Sequence, residues 1–220
     1  MEIADILSHI DHTILDQTAT WPQVKEVLDQ AIHFKAASAC IPPGFVAKAK
    51  SHVGGALPIC TVIGFPFGYS TTAAKVYETA DALKNGADEV DMVINLGWMK
   101  TGRFEKVQYE IEAVRAASAG CILKVIVETA QLTEREKVEA CRIVTASGAD
   151  YIKTSTGFGG GGATVPDVML MAANIGADIR IKASGGIGTL DDAQRFLLVG
   201  ADRIGSSRII RTLAEIERAQ

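Results

Sequence analysis

The tripeptide Gly-Ala-Asp occurs four times in this chain of 220 residues and constrains the fold more than any other feature. The four copies begin at Gly86, Gly148, Gly176 and Gly200. A helix-like stretch precedes each copy, and a short apolar run follows it. Glycine ends helices because it adopts the left-handed conformation without strain, and aspartate suits the turn before a strand. Each copy therefore predicts a helix, a stop and a strand.

Four further apolar runs resemble the marked strands, so the sequence predicts eight strands that alternate with eight helices. The predicted strands cover residues 8–13, 38–43, 57–66, 88–94, 121–129, 150–154, 178–183 and 202–206, and the predicted helices lie near 22–35, 43–53, 71–85, 103–119, 133–147, 165–174, 189–199 and 207–218. Such alternation indicates parallel pairing, and eight units in this length suit a (β/α)8 TIM barrel. We therefore expect an α/β protein in which residues 1–220 form a single barrel domain. A doubly wound open sheet is the alternative.

Composition and charge exclude several functional classes. The net charge is −4, which is unlike the basic footprint of a protein that binds nucleic acid. No apolar run approaches the roughly 18 residues of a membrane span, and the acidic start of the chain does not resemble a signal peptide. The four cysteines have neither the spacing of a zinc site nor that of a disulfide scaffold. The sequence predicts a cytoplasmic protein with reduced thiols that binds neither membrane nor nucleic acid.

Two lysines occupy matching positions near the ends of consecutive predicted strands. In "ADYIKTS" the alternation of a strand places Ile152 and Lys153 on opposite faces, and "IRIKAS" places Lys182 in the same way as Lys153. If the isoleucines pack against the helices of a barrel, both lysines point into its interior. Lys124 and Asp91, on two earlier strands, could face the same cavity. We therefore expect several charged side chains to converge inside the barrel.

Such a pair of lysines suits nucleophilic catalysis on a carbonyl group. Burial and a neighbouring cation both favour the uncharged amine, which attacks a carbonyl carbon and forms a Schiff base. The iminium then draws electrons from an adjacent carbon–carbon bond, while a carboxylate such as Asp91 moves protons. The alternative is structural, with surface lysines or an ion pair between Lys182 and Asp91. The matching positions of the two lysines favour the catalytic interpretation.

Glycine-rich loops follow the predicted strands six, seven and eight. The first, "STGFGGGGAT", lacks the Gly-Lys-Ser/Thr ending of a Walker motif, and we expect a flexible active-site loop that leaves room above Lys153. The other two loops form the usual phosphate site of barrel enzymes, where backbone N–H groups point at the anion. The candidates for this site are Gly185, Gly186, Ser206 and Ser207. Plain tight turns are the alternative for each loop alone.

Metal and thiol chemistry find less support in the sequence. No histidine has a partner at the spacing of a metal site. Cys40 ends the second predicted strand, but no histidine lies clearly opposite it, so a core cysteine is the favoured interpretation. We therefore expect a metal-independent protein.

Five motifs, in order along the chain, resemble the deoxyribose-phosphate aldolase family of class I aldolases. They are "IDHTILD", "TVIGFPFG", "DEVDMVIN", "ADYIKTSTGF" and "IKASGGI", and the resemblance extends from Asp11 to Arg208. It implies a lyase of deoxyribose phosphate catabolism that needs no cofactor. The implied reaction is reversible cleavage of 2-deoxy-D-ribose 5-phosphate to D-glyceraldehyde 3-phosphate and acetaldehyde through a lysine Schiff base.

The resemblance also implies a role for each site residue. Lys153 matches the Schiff-base lysine, Lys182 the second lysine that favours the uncharged form of the first, and Asp91 the aspartate that transfers protons. Phe158 stands where some family members have a basic residue. The resemblance further implies that Asp11 lines the site and that the phosphate is held by Gly185, Gly186, Ser206 and Ser207, with the hydroxyl of Thr156 nearby.

Two other functions remain open from the residues alone. A sugar-phosphate isomerase or epimerase would share the phosphate loops but would need no imine. A non-catalytic module would bind phosphorylated metabolites without turnover. In all three cases the ligands are small phosphorylated sugars or aldehydes. Because barrels of this kind commonly pair, we also expect a homo-oligomer, either a dimer or a tetramer.

Overall fold

Eight parallel strands close into a barrel in the computed structural model, which describes residues 1–220. The strands are β1 (Ile10–Thr13), β2 (Ser38–Cys40), β3 (Ile59–Ile63), β4 (Glu89–Val93), β5 (Ile122–Ile126), β6 (Tyr151–Lys153), β7 (Arg180–Ser184) and β8 (Arg203–Ser206). Their spatial order follows the chain, and β8 pairs with β1 to close the ring. The predicted (β/α)8 barrel is therefore confirmed, and the open sheet is excluded.

Ten helices surround or cap the barrel, two more than the sequence predicts. They are α1 (Ile3–Leu7), α2 (Trp21–His33), α3 (Val46–Val53), α4 (Thr72–Lys84), α5 (Leu96–Lys100), α6 (Phe104–Ala117), α7 (Glu134–Ala146), α8 (Val165–Asn174), α9 (Leu190–Leu198) and α10 (Ile209–Arg218). The two unpredicted helices, α1 and α5, have five residues each, too few to show a helical period. Short 3₁₀ turns cover Pro43–Phe45 and Thr129–Gln131. The longest helix has 14 residues, and none combines the length and apolar character needed to cross a bilayer.

The Gly-Ala-Asp copies end helices as expected in three cases of four. Gly86, Gly148 and Gly200 adopt φ values of 98°, 69° and 112°, which favour glycine over residues with a Cβ. Gly176 does not have a left-handed backbone. A Cβ there would lie 2.6 Å from Cγ2 of Thr145, so this glycine is needed for close packing.

The aspartates of these three copies link neighbouring strands. Asp88 accepts a hydrogen bond from the backbone N–H of Ile59, at 2.8 Å. In the same way Asp150 binds the N–H of Leu123, at 2.7 Å, and Asp202 binds that of Ile181, at 2.8 Å. Each carboxylate therefore satisfies a backbone donor at the start of the preceding strand and helps to hold the strand register.

The main hydrophobic core lies between the barrel and its helices. It contains 47 buried residues, including the outward-facing Ile152 and Ile181. A separate, small apolar cluster of Cys40, Cys60 and Val62 lies inside the barrel. Burial of aliphatic side chains in the outer layer stabilises the fold. The interior is therefore free to carry polar groups.

A buried ion pair outside the barrel holds the connection between β3 and α4 in place. The ammonium of Lys75 lies 2.8 Å from Oε1 of Glu110 and donates to the carbonyls of Gly68 and Val93, each at 2.7 Å. Both charged side chains are fully buried. Burial lowers the pKa of Lys75 and raises that of Glu110. The pair connects the loop after β3 to the end of β4, beside the carboxyl-end face of the barrel.

We expect Lys75→Met to lower the free energy of unfolding by about 3–5 kcal/mol, because it leaves a buried carboxylate and two carbonyls without their donor. Urea unfolding followed by circular dichroism measures this loss. Lys25→Met is the matched control. Lys25 pairs with Asp29 on the surface, so its loss costs less than about 0.5 kcal/mol. An equal loss in the free energy of unfolding for the two variants would show that the buried pair stabilises the fold no more than the surface pair.

Candidate active site

Three lysines converge on the carboxylate of Asp91 inside the barrel. Oδ1 of Asp91 accepts from Nζ of Lys124 at 2.9 Å, and Oδ2 accepts from Nζ of Lys153 and of Lys182, each at 2.7 Å. The four side chains come from the consecutive strands β4 to β7. Asp91 is paired in register with Lys124, and Lys153 with Lys182. The convergence predicted from strand alternation is therefore confirmed.

A second layer of charged groups lies below these residues. Asp11 binds Lys182 at 2.5 Å and Arg203 at 2.5 Å, and Glu89 binds Lys124 at 2.5 Å. Arg203 also reaches Glu89, at 3.3 Å, across the barrel. The sequence reasoning did not identify Glu89 and Arg203, although strand alternation places both on the interior face. Together the two layers form one charge cluster of four cations and three carboxylates, with one positive charge in excess.

The partners within this charge cluster determine the protonation of its members. Burial alone would raise the pKa of Asp91, but Lys124, Lys153 and Lys182 hold it well below its ordinary value. Burial opposes the charge on Lys182, but Asp11 and Asp91 raise its pKa above the ordinary value. Lys124 behaves in the same way, and Asp91 is the strongest of its partners. Asp91 therefore stays ionised, and Lys124 and Lys182 stay protonated.

Lys153 differs from the other three cations of the charge cluster in two respects. It has a single carboxylate partner, Asp91, whereas Lys124, Lys182 and Arg203 each bind at least two. It is also the only one of the four that borders the cavity above the cluster. Since the cluster carries one excess positive charge, loss of a proton from Lys153 leaves the remaining charges balanced.

The cavity above Lys153 has a volume of about 210 Å³. It brings together six of the residues selected from the sequence: Lys153, Thr156, Gly185, Gly186, Ser206 and Ser207. Asp91, Lys182 and Asp11 lie beneath the floor of the cavity and do not line it. Asp11 therefore contacts Lys182 and Arg203 rather than the open space of the site.

Backbone donors on one wall of the cavity suit an anion. Gly185 and Gly186 adopt φ values of 86° and 81°. Their N–H groups and that of Ser207 donate to no protein acceptor. The hydroxyls of Ser206 and Thr156 already donate to other protein groups. Ser206 donates to the carbonyl of Ile187 at 2.8 Å, and Thr156 donates to Glu128 at 2.5 Å.

Two further residues, which border the cavity or its loops, were also missed by the sequence reasoning. Arg208 lines the cavity. Its guanidinium packs against Gly188, where a Cβ would lie only 2.6 Å from Nη2 of Arg208. Arg208 forms no ion pair with a carboxylate. It therefore offers the cavity a free cation, whereas Phe158, at a position that is basic in some family members, does not. Glu128 is buried at the end of β5 and accepts both the N–H and the hydroxyl of Thr156. Glu128 and Arg208 each stand two residues beyond a strand end, after β5 and β8, and that position was the available signal.

The glycines around the site have a steric reason. A Cβ on Gly162 would lie 2.3 Å from the carbonyl oxygen of Gly185, and a Cβ on Gly159 would lie 2.6 Å from Cδ of Glu128. On β8, a Cβ on Gly205 would lie 2.8 Å from Cβ of Ser184 and 3.4 Å from Cε of Lys182. These glycines let the loops approach one another and leave room for the Lys182 side chain.

The chain as a whole is similar to known aldolases. The family model described as DeoC/LacD family aldolase matches residues 6–206. The chain belongs to the DeoC/LacD family of aldolases. It is 58% identical over 211 residues to a protein of Streptococcus agalactiae named deoxyribose-phosphate aldolase, covering 96% of this chain and 95% of that protein. A protein of Streptococcus pyogenes with the same name is also 58% identical over the same shares.

Solved structures resemble the DeoC/LacD chain over nearly its whole length. A structure from Coccidioides immitis superposes with a TM-score of 0.93 and 39% identity, covering 97% of this chain and 87% of that one. Deoxyribose-phosphate aldolase from Aeropyrum pernix, described as tetrameric, superposes with a TM-score of 0.89 and 29% identity, covering 98% and 93%. Family and fold together identify this chain as an aldolase, a carbon–carbon lyase.

We expect Gly205→Ala to lower the turnover of this aldolase by about tenfold or more, because the new methyl group pushes Lys182 and Ser184 out of position. Initial rates of aldol cleavage measure the loss, and circular dichroism checks that the fold is kept. Gly44→Ala is the control, since a Cβ there meets nothing within 4 Å. Full activity in Gly205→Ala would mean that the position of Lys182 tolerates displacement.

Proposed function

We propose that this chain reversibly cleaves 2-deoxy-D-ribose 5-phosphate to D-glyceraldehyde 3-phosphate and acetaldehyde through a Schiff base on Lys153. The observation that carries the proposal is that Lys153 is the one cation of the charge cluster that borders the cavity. The opposite wall presents the anion donors of Gly185, Gly186 and Ser207 together with Arg208. The names of the streptococcal relatives supply the substrate.

The substrate lies across the cavity in this proposal. Its aldehyde carbon meets Nζ of Lys153 on the floor. Its phosphate binds the backbone N–H groups of Gly185, Gly186 and Ser207, and the guanidinium of Arg208 provides the counter-charge. Arg208 thus supplies the positive charge for the phosphate that Phe158 cannot supply. Ser206 holds the start of α10, because its hydroxyl accepts the N–H of Arg208 and of Ile209.

The first chemical step is formation of the imine. Lys153 releases one proton to water and attacks the aldehyde carbon, and the carbinolamine then takes up a proton on its hydroxyl group and loses water to give the iminium. Conversion of the ammonium into an iminium removes donors from Oδ2 of Asp91. That oxygen is then free to accept a proton, either directly or through a water molecule.

Cleavage and release follow from the same groups. Asp91 takes the proton of the 3-hydroxyl group while the C2–C3 bond breaks. The electron pair of that bond passes into the iminium to give an enamine. D-Glyceraldehyde 3-phosphate leaves. Protonation of the enamine carbon and hydrolysis of the imine release acetaldehyde and restore the Lys153 amine. Lys182 stays charged throughout and keeps Asp91 in place from below.

We also propose that the aldolase works as a homo-oligomer in the cytoplasm without a cofactor. The support for assembly is the tetrameric description of the Aeropyrum pernix enzyme. Small phosphorylated sugars and aldehydes are its proposed ligands.

Borohydride reduction in the presence of acetaldehyde should attach an ethyl group to Lys153, because only an imine is reduced to a stable amine. Tryptic mapping by mass spectrometry locates the adduct. Lys153→Leu should lose both the adduct and the turnover, whereas Lys100→Leu, which removes a surface ion pair, should keep both. An adduct at another lysine, or substantial turnover by Lys153→Leu, would contradict the imine and would favour an isomerase or epimerase.

Lys182→Leu should lower turnover by more than about tenfold at neutral pH, with a smaller loss at higher pH. The proposal gives Lys182 the role of a second cation on Oδ2 of Asp91 that favours an uncharged nucleophile, so higher pH should offset part of its loss. Rates across the pH range measure this, and Lys182→Arg should recover part of the activity because it keeps the charge. A constant fractional loss at every pH would assign Lys182 a purely structural role.

A further inference from the structure

Two free thiols lie side by side in the barrel interior. Cys40 ends β2, Cys60 lies in β3, and the two are direct partners in the strand register. Both side chains are buried. Their Sγ atoms and a carboxylate oxygen of Asp91 all lie within 4.8 Å of one another. The thiols therefore form a dithiol pair in contact with the charge cluster.

The backbone spacing of this dithiol pair suits a disulfide. Neighbouring strands lie about 4.7–4.9 Å apart, and disulfides form between Cα atoms about 4.4–6.8 Å apart. Cys40 is the last residue of β2, and the 3₁₀ turn Pro43–Phe45 follows shortly after it. The N–H of Ile14 donates to the carbonyl of Cys40 and the N–H of Ile41 donates to that of Cys60, each at 3.0 Å, so the two cysteines are held side by side.

The dithiol pair is also linked to the chemistry of the site. The Cys60 thiol donates to Oδ1 of Asp91 at 3.2 Å and accepts from Nζ of Lys124 at 3.4 Å. The neighbouring Cys60 side chain lowers the pKa of the Cys40 thiol, which favours its reactive thiolate. A change at the Cys60 sulfur therefore alters the hydrogen bonding of Asp91.

Charge favours a disulfide over a bound metal ion at these three groups. Both carboxylate oxygens of Asp91 already bind ammonium groups, and a divalent cation would add two charges to a cluster with an excess positive charge. Oxidation of two thiols to a disulfide adds no charge to the buried site. The surrounding lysines therefore oppose the metal and tolerate the disulfide.

Small oxidants can approach the dithiol pair from a neighbouring cavity. Val62, Leu15 and Phe65 pack around the two cysteines and also line a cavity of about 310 Å³ beside the cavity above Lys153. One layer of side chains therefore separates the sulfurs from this open space. A molecule as small as hydrogen peroxide needs only local side-chain motion to reach them.

We propose that Cys40 and Cys60 form a reversible disulfide with a peroxide oxidant, and that this oxidation switches the aldolase off. The Cys40 thiolate attacks one peroxide oxygen to give a sulfenic acid and, after protonation, water. The Cys60 thiol then attacks the sulfenic sulfur, the S–S bond forms and a second water leaves. Two thiols are oxidised while one peroxide is reduced. Asp91 loses the S–H donor on Oδ1, and its position relative to Lys153 changes.

Treatment of the wild-type enzyme with hydrogen peroxide tests this modification. The tryptic peptides that carry Cys40 and Cys60 are separate, because trypsin cuts after Lys48 and Lys50. Under non-reducing conditions we expect them to appear as one linked peptide, about 2 Da lighter than their sum. Turnover should fall by about tenfold or more as the linked peptide accumulates, and dithiothreitol should reverse both changes. The linked peptide is scored by mass alone, so this result does not depend on the proposed substrate.

Two single variants complete the test. Cys60→Ala, compared with its own untreated activity, should form no linked peptide and should lose the dithiothreitol-reversible inhibition. Cys121→Ala is the matched control, because it removes a half-buried thiol outside the charge cluster and keeps the dithiol pair. It should respond like the wild type. Inhibition without the linked peptide, or the linked peptide without inhibition, would overturn the proposal.

Discussion

The carboxylate of Asp91, held by ammonium groups from three neighbouring strands, is the interaction on which the rest of the interior depends. A charge buried in this way is tolerated only when it is paired and hydrogen-bonded. Closure of the barrel supplies further partners, because it brings Asp11 on β1 beside Arg203 on β8 and beside Lys182 below Asp91. An open sheet would separate Arg203 from Glu89, which it meets across the ring. The charge pairing of the site therefore depends on closure of the barrel.

The barrel separates stabilisation from chemistry. The large apolar core lies outside the strands, where Ile152 and Ile181 pack against helices, and the hydrophobic effect there supplies the main driving force for folding. The charge cluster inside gains little net energy from its ion pairs, since desolvation offsets their attraction. What the ion pairs provide is position. The carboxylates fix the position of each ammonium group, and the ammonium of Lys153 lies at the floor of the cavity.

Strand periodicity explains how much of the site the sequence could predict. A period of two is a local property, so Ile152 facing the helices already implied that Lys153 faces inward. The same rule placed Lys182 and Asp91. Hydroxyl roles depend on partners that are distant in the chain. Thr156 binds Glu128, and the sequence offers no local sign of that contact. Arg208 stands just after β8, but only the folded loop shows that its side chain lines the cavity. The helices α1 and α5 were missed because five residues are too few to show a period.

The distribution of side-chain size along the strands determines where the cavity opens. Long charged side chains fill the interior up to the level of Asp91. Above that level the chain supplies glycines, and Gly162 and Gly185 approach closely enough that neither tolerates a Cβ. The missing side chains create the space above Lys153, and the same glycines expose the backbone N–H groups that suit an anion. Glycine at these positions therefore provides both room for a substrate and the backbone donors to hold it. A barrel with larger residues at these positions would keep the charge cluster but would have no space in which to use it.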